Sequence, residues 1–288
     1  MTVTMIESFR CGIGEGVLWD EREQRVYAVD ILARQIVRYD PIAGSAERFD
    51  VGEIIGSMAL RETGGAVLGL ATGVSLFDFD SGEARLLVDV EPEDRSLLLT
   101  EGKADPAGRF VVSSFAMAMR EPVGSFFAIG RDGGATRLRG GVTVPNGLAW
   151  SPDGKTIYFA DSARNAVFAA DYDLERGLLS NERLFAETAA LGGIPDGATV
   201  DSEGNYWVTI CQAGQVACFD DRGKLVRSIE LPCKWVSSLA FGGAGLDRLF
   251  VTSLDPSLMN MGSDPLGGHM FVIDEIDATG LGATRTLL

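Results

Sequence analysis

The chain has 288 residues, with 41 Asp and Glu against 25 Lys and Arg for a formal charge of −16, and a 46% hydrophobic, 23% charged composition. That mix belongs to a folded chain long enough to bury a sizeable core, as one large domain or two small ones, and not to a disordered one. The acidic balance, without a run of Lys and Arg, argues against nucleic acid or an anionic membrane surface as partner and leaves a cation or a small molecule.

In chain order, Met1 to Arg10 lack the apolar run of a signal peptide and include Glu7. No stretch approaches the roughly 20 apolar residues of a membrane span. Six later segments then share one plan, a polar turn followed by a short β-rich run. They are EREQRVYAVD ending at Asp30, RETGGAVLGL at Leu70, DPAGRFVVSS at Ser114, PDGKTIYFAD at Asp161, SEGNYWVTI at Ile210 and GLDRLFVTS at Ser253. Their ends step by 40, 44, 47, 49 and 43 residues. A period near 45 with several short strands per copy is that of a β-propeller blade. The predicted fold is therefore all-β, a six-bladed β-propeller occupying residues 1–288 as one domain, with a two-sheet sandwich as the weaker alternative. The runs themselves are nearly all apolar, as strands buried between neighbouring blades should be.

Residue counts remove much chemistry. His269 is the only histidine, which excludes zinc sites built on two or three His and HExxH proteases. There is no GxSxG elbow, no GxxxxGK[ST] loop and no strand-bound GxGxxG. Cys11, Cys211, Cys218 and Cys233 form no CxxC pair, so reduced thiols and a cytoplasmic location are expected. His269 reads as a structural histidine near a strand start. Trp19, Trp150, Trp207 and Trp235 read as core packing.

Three segments go further: GIGEGVLWDEREQRVYAVDI, PNGLAWSPDGKTIYFADS and IPDGATVDSEGNYWV. In this order they resemble the senescence marker protein-30 (regucalcin-like), gluconolactonase and luciferin-regenerating enzyme family. The weaker segments SMALRETGGAVLGLATG and EGKADPAGRF fit its second and third blades, so the resemblance spans essentially the whole chain. It implies a six-bladed propeller holding one divalent cation in the central channel, with Glu15, Asn146 and Asp196 as ligands. Two carboxylates and an amide make a hard, oxygen-only set suited to Ca²⁺, Mg²⁺ or Mn²⁺, with Zn²⁺ tolerated. Read singly, such residues are ordinary turn formers, and Asp153 in SPDGK is that case. Asp105, Asp161 and Asp201 likewise read as blade-turn residues.

In the sugar-lactone members the third blade carries an Arg-x-Asn-Asp-Gly-Lys segment. Here Leu98 stands at the Arg position and Thr100 at the Asn position, while Met117 aligns with a substrate-contacting glutamate. Lys103 matches the pattern, with a turn or surface position as an equal reading. Whether Thr100 or Glu101 adds to the cation site stays open, and Met259 and Met261 fall in a loop suited to a lid. The expected function is a metal-dependent hydrolase opening a lactone less hydroxylated than an aldonolactone, with Asp196 also the general base. Alternatives are an isomerase or hydratase, a phosphotriesterase-like esterase, and a non-catalytic calcium-binding regulatory propeller.

Overall fold

The computed structural model describes residues 1–94 and 96–288. Strand β1 (Thr2–Arg10) comes first. Blade 1 follows with β2 (Gly14–Asp20), β3 (Arg25–Asp30), β4 (Gln35–Asp40) and β5 (Ser45–Asp50). Blade 2 holds β6 (Ile55–Leu60), β7 (Ala66–Leu70), β8 (Gly73–Phe77) and β9 (Ala84–Val88), and blade 3 holds β10 (Leu97–Ala104), β11 (Phe110–Ala116), β12 (Gly124–Ile129) and β13 (Ala135–Val142). Blade 4 comprises β14 (Pro145–Trp150), β15 (Thr156–Asp161), β16 (Ala166–Asp173) and β17 (Leu178–Glu187). Blade 5 comprises β18 (Ile194–Val200), β19 (Tyr206–Cys211), β20 (Gln215–Phe219) and β21 (Leu225–Glu230). Blade 6 contains β22 (Val236–Gly242), β23 (Arg248–Ser253) and β24 (His269–Asp274).

The last blade is completed by β1, which pairs antiparallel with β24 from Thr2↔Asp274 to Ile6↔Met270. Pairing with the first strand covers the edge of β24 and ties the start of the chain to its last blade. The result is a six-bladed β-propeller of four-stranded antiparallel sheets, not a two-sheet sandwich. The six predicted runs are the second strands, β3, β7, β11, β15, β19 and β23. Two run slightly further than expected: β11 continues to Ala116 because Leu97 pairs with it, and β19 ends at Cys211 opposite Ile194.

The reason those strands lack alternation lies in the core. Among the described residues six apolar clusters are present, each shared by two adjacent blades; Trp207 and Cys218 of blade 5, for example, pack with Leu239 and Phe271 of blade 6. A second strand therefore has a neighbour on both faces, and β3, β7, β15 and β19 are buried almost throughout. Fourth strands lie at the rim: β5, β9 and β21 are largely exposed. Trp19, Trp150 and Trp207 are core residues as expected, and Trp235 packs partly buried against the blade 5–6 cluster. The antiparallel order puts the start of every inner strand, and every second-to-third strand loop, at one end of the channel, here called the front.

Candidate functional site

The inner strands β2, β6, β10, β14, β18 and β22 each carry a register slip near the front. It falls between Glu15 and Leu18, Ile55 and Ser57, Leu99 and Gly102, Asn146 and Ala149, Pro195 and Ala198, and Val236 and Leu239. Each slip inserts one extra residue into the inner strand, a β-bulge that breaks the pleat and re-aims a side chain. At Gly147 (φ 66°) the backbone occupies the left-handed region and leaves no room for a side chain, since a Cβ would lie 2.4 Å from the Tyr206 hydroxyl. That hydroxyl donates to the Gly147 carbonyl at 2.8 Å, tying β14 to blade 5.

The slips place six residues in equivalent positions around the axis. Glu15, Thr100, Asn146 and Asp196 each stand five residues ahead of the strand-foot residues Asp20, Asp105, Ser151 and Asp201. The same interval identifies Gly56 and Ser237 in blades 2 and 6. The ring thus offers two carboxylates, one amide, two hydroxyls and one glycine. Gly56 has no side chain for a steric reason: a Cβ there would lie 2.2 Å from the Leu99 carbonyl. The Ser237 hydroxyl is committed to the Gly14 carbonyl and to Thr252 Oγ1, so it is not free to serve a ligand.

Asn146 is oriented by its neighbours. Its Nδ2 donates to Ser162 Oγ at 2.9 Å, and that hydroxyl donates to the Pro195 carbonyl at 2.6 Å, one residue before Asp196. Holding the amide nitrogen fixes Oδ1 as the end available to a ligand. Glu15 accepts from the Gly16 amide at 3.1 Å. Asp196 is buried, yet no hydrogen bond from the described residues reaches its carboxylate. Burial raises the proton affinity of both Glu15 and Asp196 well above the usual carboxylate range; the Asp196 and Glu101 charges add to the effect on Glu15, and Glu101 adds to that on Asp196. The two predicted carboxylate ligands thus lie within strong electrostatic reach of one another.

Two further charges, on the same strand, surround this pair. Glu101 is buried, and its Oε1 accepts from the Leu148 amide at 3.3 Å. Lys103 donates its ammonium to the Ala198 carbonyl, two residues past Asp196, and its own proton affinity is lowered by burial, against the attraction of Glu101 and Glu15. The surface or turn reading of Lys103 is therefore corrected: it lies within inner strand β10, half-buried, and braces blade 3 against blade 5. Three carboxylates among the described residues, Glu15, Glu101 and Asp196, stand against one ammonium, a formal surplus of two negative charges. Among the described residues no three His, Cys, Asp or Glu side chains converge as a cation cage. A site here consequently depends on Asn146 as the third donor, and Glu101 stands back as its support. The donor set fits a hard dication.

Thr100 occupies the ring position expected for it, half-buried, and its hydroxyl has no partner among the described residues. Leu98, two residues nearer the front, is half-buried and pairs with Phe115. Met117 lies just beyond β11 in a front loop and is 62% exposed, at the mouth and not in the ring. His269 bonds the Phe9 carbonyl through Nδ1 at 3.2 Å, as a structural histidine. Asp105 and Asp201 accept amides of their own turns, as expected, whereas Asp161 ends β15 and receives the Thr143 and Val144 amides of the loop entering blade 4. Glu101, left open by the sequence as a contributor, is bonded to the Leu148 amide, and the role of Ser162 has no counterpart in the sequence reading. The constant interval to the strand foot was the signal that could have marked the ring.

A family model described as "SMP-30/Gluconolactonase/LRE-like region" matches residues 13–255. Regucalcin of Xenopus laevis is 34% identical over 247 residues, covering 84% of this chain and 83% of its own. The human regucalcin is 31% identical over 281 residues, with 94% and 93% covered. Among solved structures, a luciferin-regenerating enzyme superposes with a TM-score of 0.92 at 27% identity, covering 100% of this chain and 99% of that one. With the matched region containing Glu15, Asn146 and Asp196 together, the chain belongs to the SMP-30/gluconolactonase/LRE-like family.

Proposed function

We propose that this protein is a divalent-cation-dependent lactonase-type hydrolase that opens a cyclic ester less hydroxylated than an aldonolactone. The observation that carries the reading is the combination, among the described residues, of Asp196 buried without a hydrogen-bond donor and a formal surplus of two negative charges with an oriented Asn146 amide. Isolated buried charge of that kind is costly unless compensated, and a dication is the economical compensation. The family's description includes gluconolactonases, and the regucalcins are named for calcium, which supports the same class.

Glu15, Asn146 and Asp196 would hold the cation. When bound, it supplies Lewis-acid polarisation of the ester carbonyl. The chain's own residues supply the rest. Glu15, held by the Gly16 amide, and Asn146, held by Ser162, each have one oxygen left to offer a ligand, which supports a preorganised site. Asp196 takes a proton from the attacking water as its oxygen bonds to the carbonyl carbon. The same proton then passes to the ring oxygen as the carbon–oxygen bond breaks, and a hydroxy acid leaves. Burial raises the proton affinity of Asp196 in the cation-free chain, and a bound dication would draw it back down, toward a carboxylate that accepts and returns a proton.

Substrate preference follows from blade 3. A polyol hydroxyl set against Leu98 would be buried without a partner, at about 1–3 kcal/mol each. Thr100 offers one hydroxyl, and Met117 offers apolar surface at the mouth. The decisive experiment combines elemental analysis with a lactone panel spanning sugar, aliphatic and aromatic rings. Turnover abolished by chelator and restored by one cation is expected. Cation binding with no turnover of any ester would replace the hydrolase with a non-catalytic calcium-binding propeller.

A further inference from the structure

The front of the channel is not uniform. Of the six loops joining second to third strands there, those of blades 2, 4 and 5 are short and carry no large apolar side chain; blade 3 presents Met117, Met119 and Val123, blade 1 presents Leu32, and blade 6 presents Met261 and Leu258, with Leu32 and Leu258 48% and 56% exposed. These two leucines converge. A Cβ built on Gly12 would lie 3.1 Å from Leu258 Cδ1 and 3.3 Å from Leu32 Cβ, so both side chains sit over the same glycine, three residues ahead of Glu15.

Leu258 is held there by a rigid support. It lies in a 3-10 helix (Pro256–Met259) whose N-cap Asp255 accepts from the Ser257 amide at 3.0 Å. The helix is stapled to the ligand-bearing blade, because the Asp255 amide donates to the Gly12 carbonyl at 2.8 Å and Leu254 bridges Ile13. Further on, Asp264 accepts from the Lys234 amide at 3.0 Å. Two leucines pinned together and left open to water beside a channel mouth are an apolar surface prepared for an occupant. A protein partner is not that occupant: a stable interface needs roughly 800 Å² per partner, far beyond two half-exposed side chains.

We infer that Leu32 and Leu258 form a shelf for an aliphatic substituent on the substrate ring, so that alkyl-substituted lactones are the preferred class. The inference rests on the hydrolase reading above and adds the part of the substrate that lies outside the ring. Each methylene laid on the shelf raises the specificity constant by up to about fourfold.

The test is a series of γ-lactones with side chains from methyl to hexyl, assayed with the cation-loaded protein. The wild type should show kcat/KM climbing with each carbon until the shelf is covered. Leu258→Ser and Leu32→Ser, both at exposed positions, should cut the hexyl-to-methyl ratio by about tenfold or more. Ile42→Ser, on a rear loop, should keep the wild-type ratio. A flat series in the wild type, or an unchanged ratio in both leucine variants, overturns the shelf. Calorimetric titration of the ring-opened alkyl hydroxy acids separates the two readings. Chain-length-dependent binding without turnover of any lactone retains the shelf and removes the hydrolase, and turnover with no chain-length dependence does the reverse.

Discussion

The two ends of the channel are built from the same six strands and solve opposite problems. At the front, bulges begin directly after Glu15 and Asn146 and take Asp196 out of the ladder, and Asp196 has no hydrogen-bond donor among the described residues. At the rear, Trp19, Met58, Trp150 and Phe241 line a chamber of about 380 Å³ whose floor is the C-terminal strap, Leu281 to Thr284. The chain is tied down on either side of it: Ser202 donates to Thr279, Gly280 to Leu246, Thr286 to Leu60, Glu62 to Thr286 and Leu287 to Gly108, all at 2.8 Å. Arg285 closes it with a 2.6 Å ion pair to buried Asp20. The rear contacts hold five blades together, although Trp19 Nε1, Trp150 Nε1 and Asp20 Oδ2 there are buried without a hydrogen-bond partner among the described residues.

The strongest way to break this contrast is at the front. Asp196→Asn should lower turnover by about 10³-fold or more while thermal unfolding stays cooperative; full activity in that variant would remove Asp196 from the chemistry. Next, Arg285→Ala strands the Asp20 carboxylate at the rear and should cost about 3 kcal/mol in urea denaturation. Its cation affinity should be unchanged, and a matching loss of affinity would show that the two ends are coupled. Saturation with the fitting cation at a hundredfold over Kd should stabilise the chelated protein by about 2.7 kcal/mol, read as a shift in Tm that Glu15→Gln abolishes. Leu98→Arg with Thr100→Asn should improve use of a polyhydroxylated lactone by about tenfold through restored partners. An equal gain on an unsubstituted lactone would point to a general effect.

The smallest effect is a pH slope. Glu15 and Asp196 have raised proton affinities in the folded chain, so they favour folding below the ordinary carboxylate range and lose that contribution as pH rises through their raised values. The chelated protein should therefore lose stability from roughly pH 4 upward relative to a Glu15→Gln, Asp196→Asn double variant. Added cation should erase the difference. A difference that grows toward acid instead would mean the pair is stabilised as carboxylates without any ion.

Legibility in the sequence followed local physics. The second strands were readable because burial on both faces makes them continuously apolar, as in Val26 to Val29 and Leu249 to Thr252. Rim strands such as Ala84–Val88 and Leu225–Glu230 face water and carry no such signature. Lys103 shows the limit most clearly. One position along the chain separates a surface lysine from a buried brace only when the inner strand's bulge and the Ala198 carbonyl are known. Ser162 likewise gains its role from the meeting of blades 4 and 5.

By itself the sequence determined the blade count, the strands between blades and the residue types offered at the front, because each depends on composition within a few neighbouring residues. Tertiary structure alone decided that Thr2–Arg10 completes the last blade, that the C-terminal strap floors the channel, and that Glu15 and Asp196 share one electrostatic field. Those outcomes come from closing a ring, which brings together residues more than a hundred positions apart, and no local pattern encodes the distance across it.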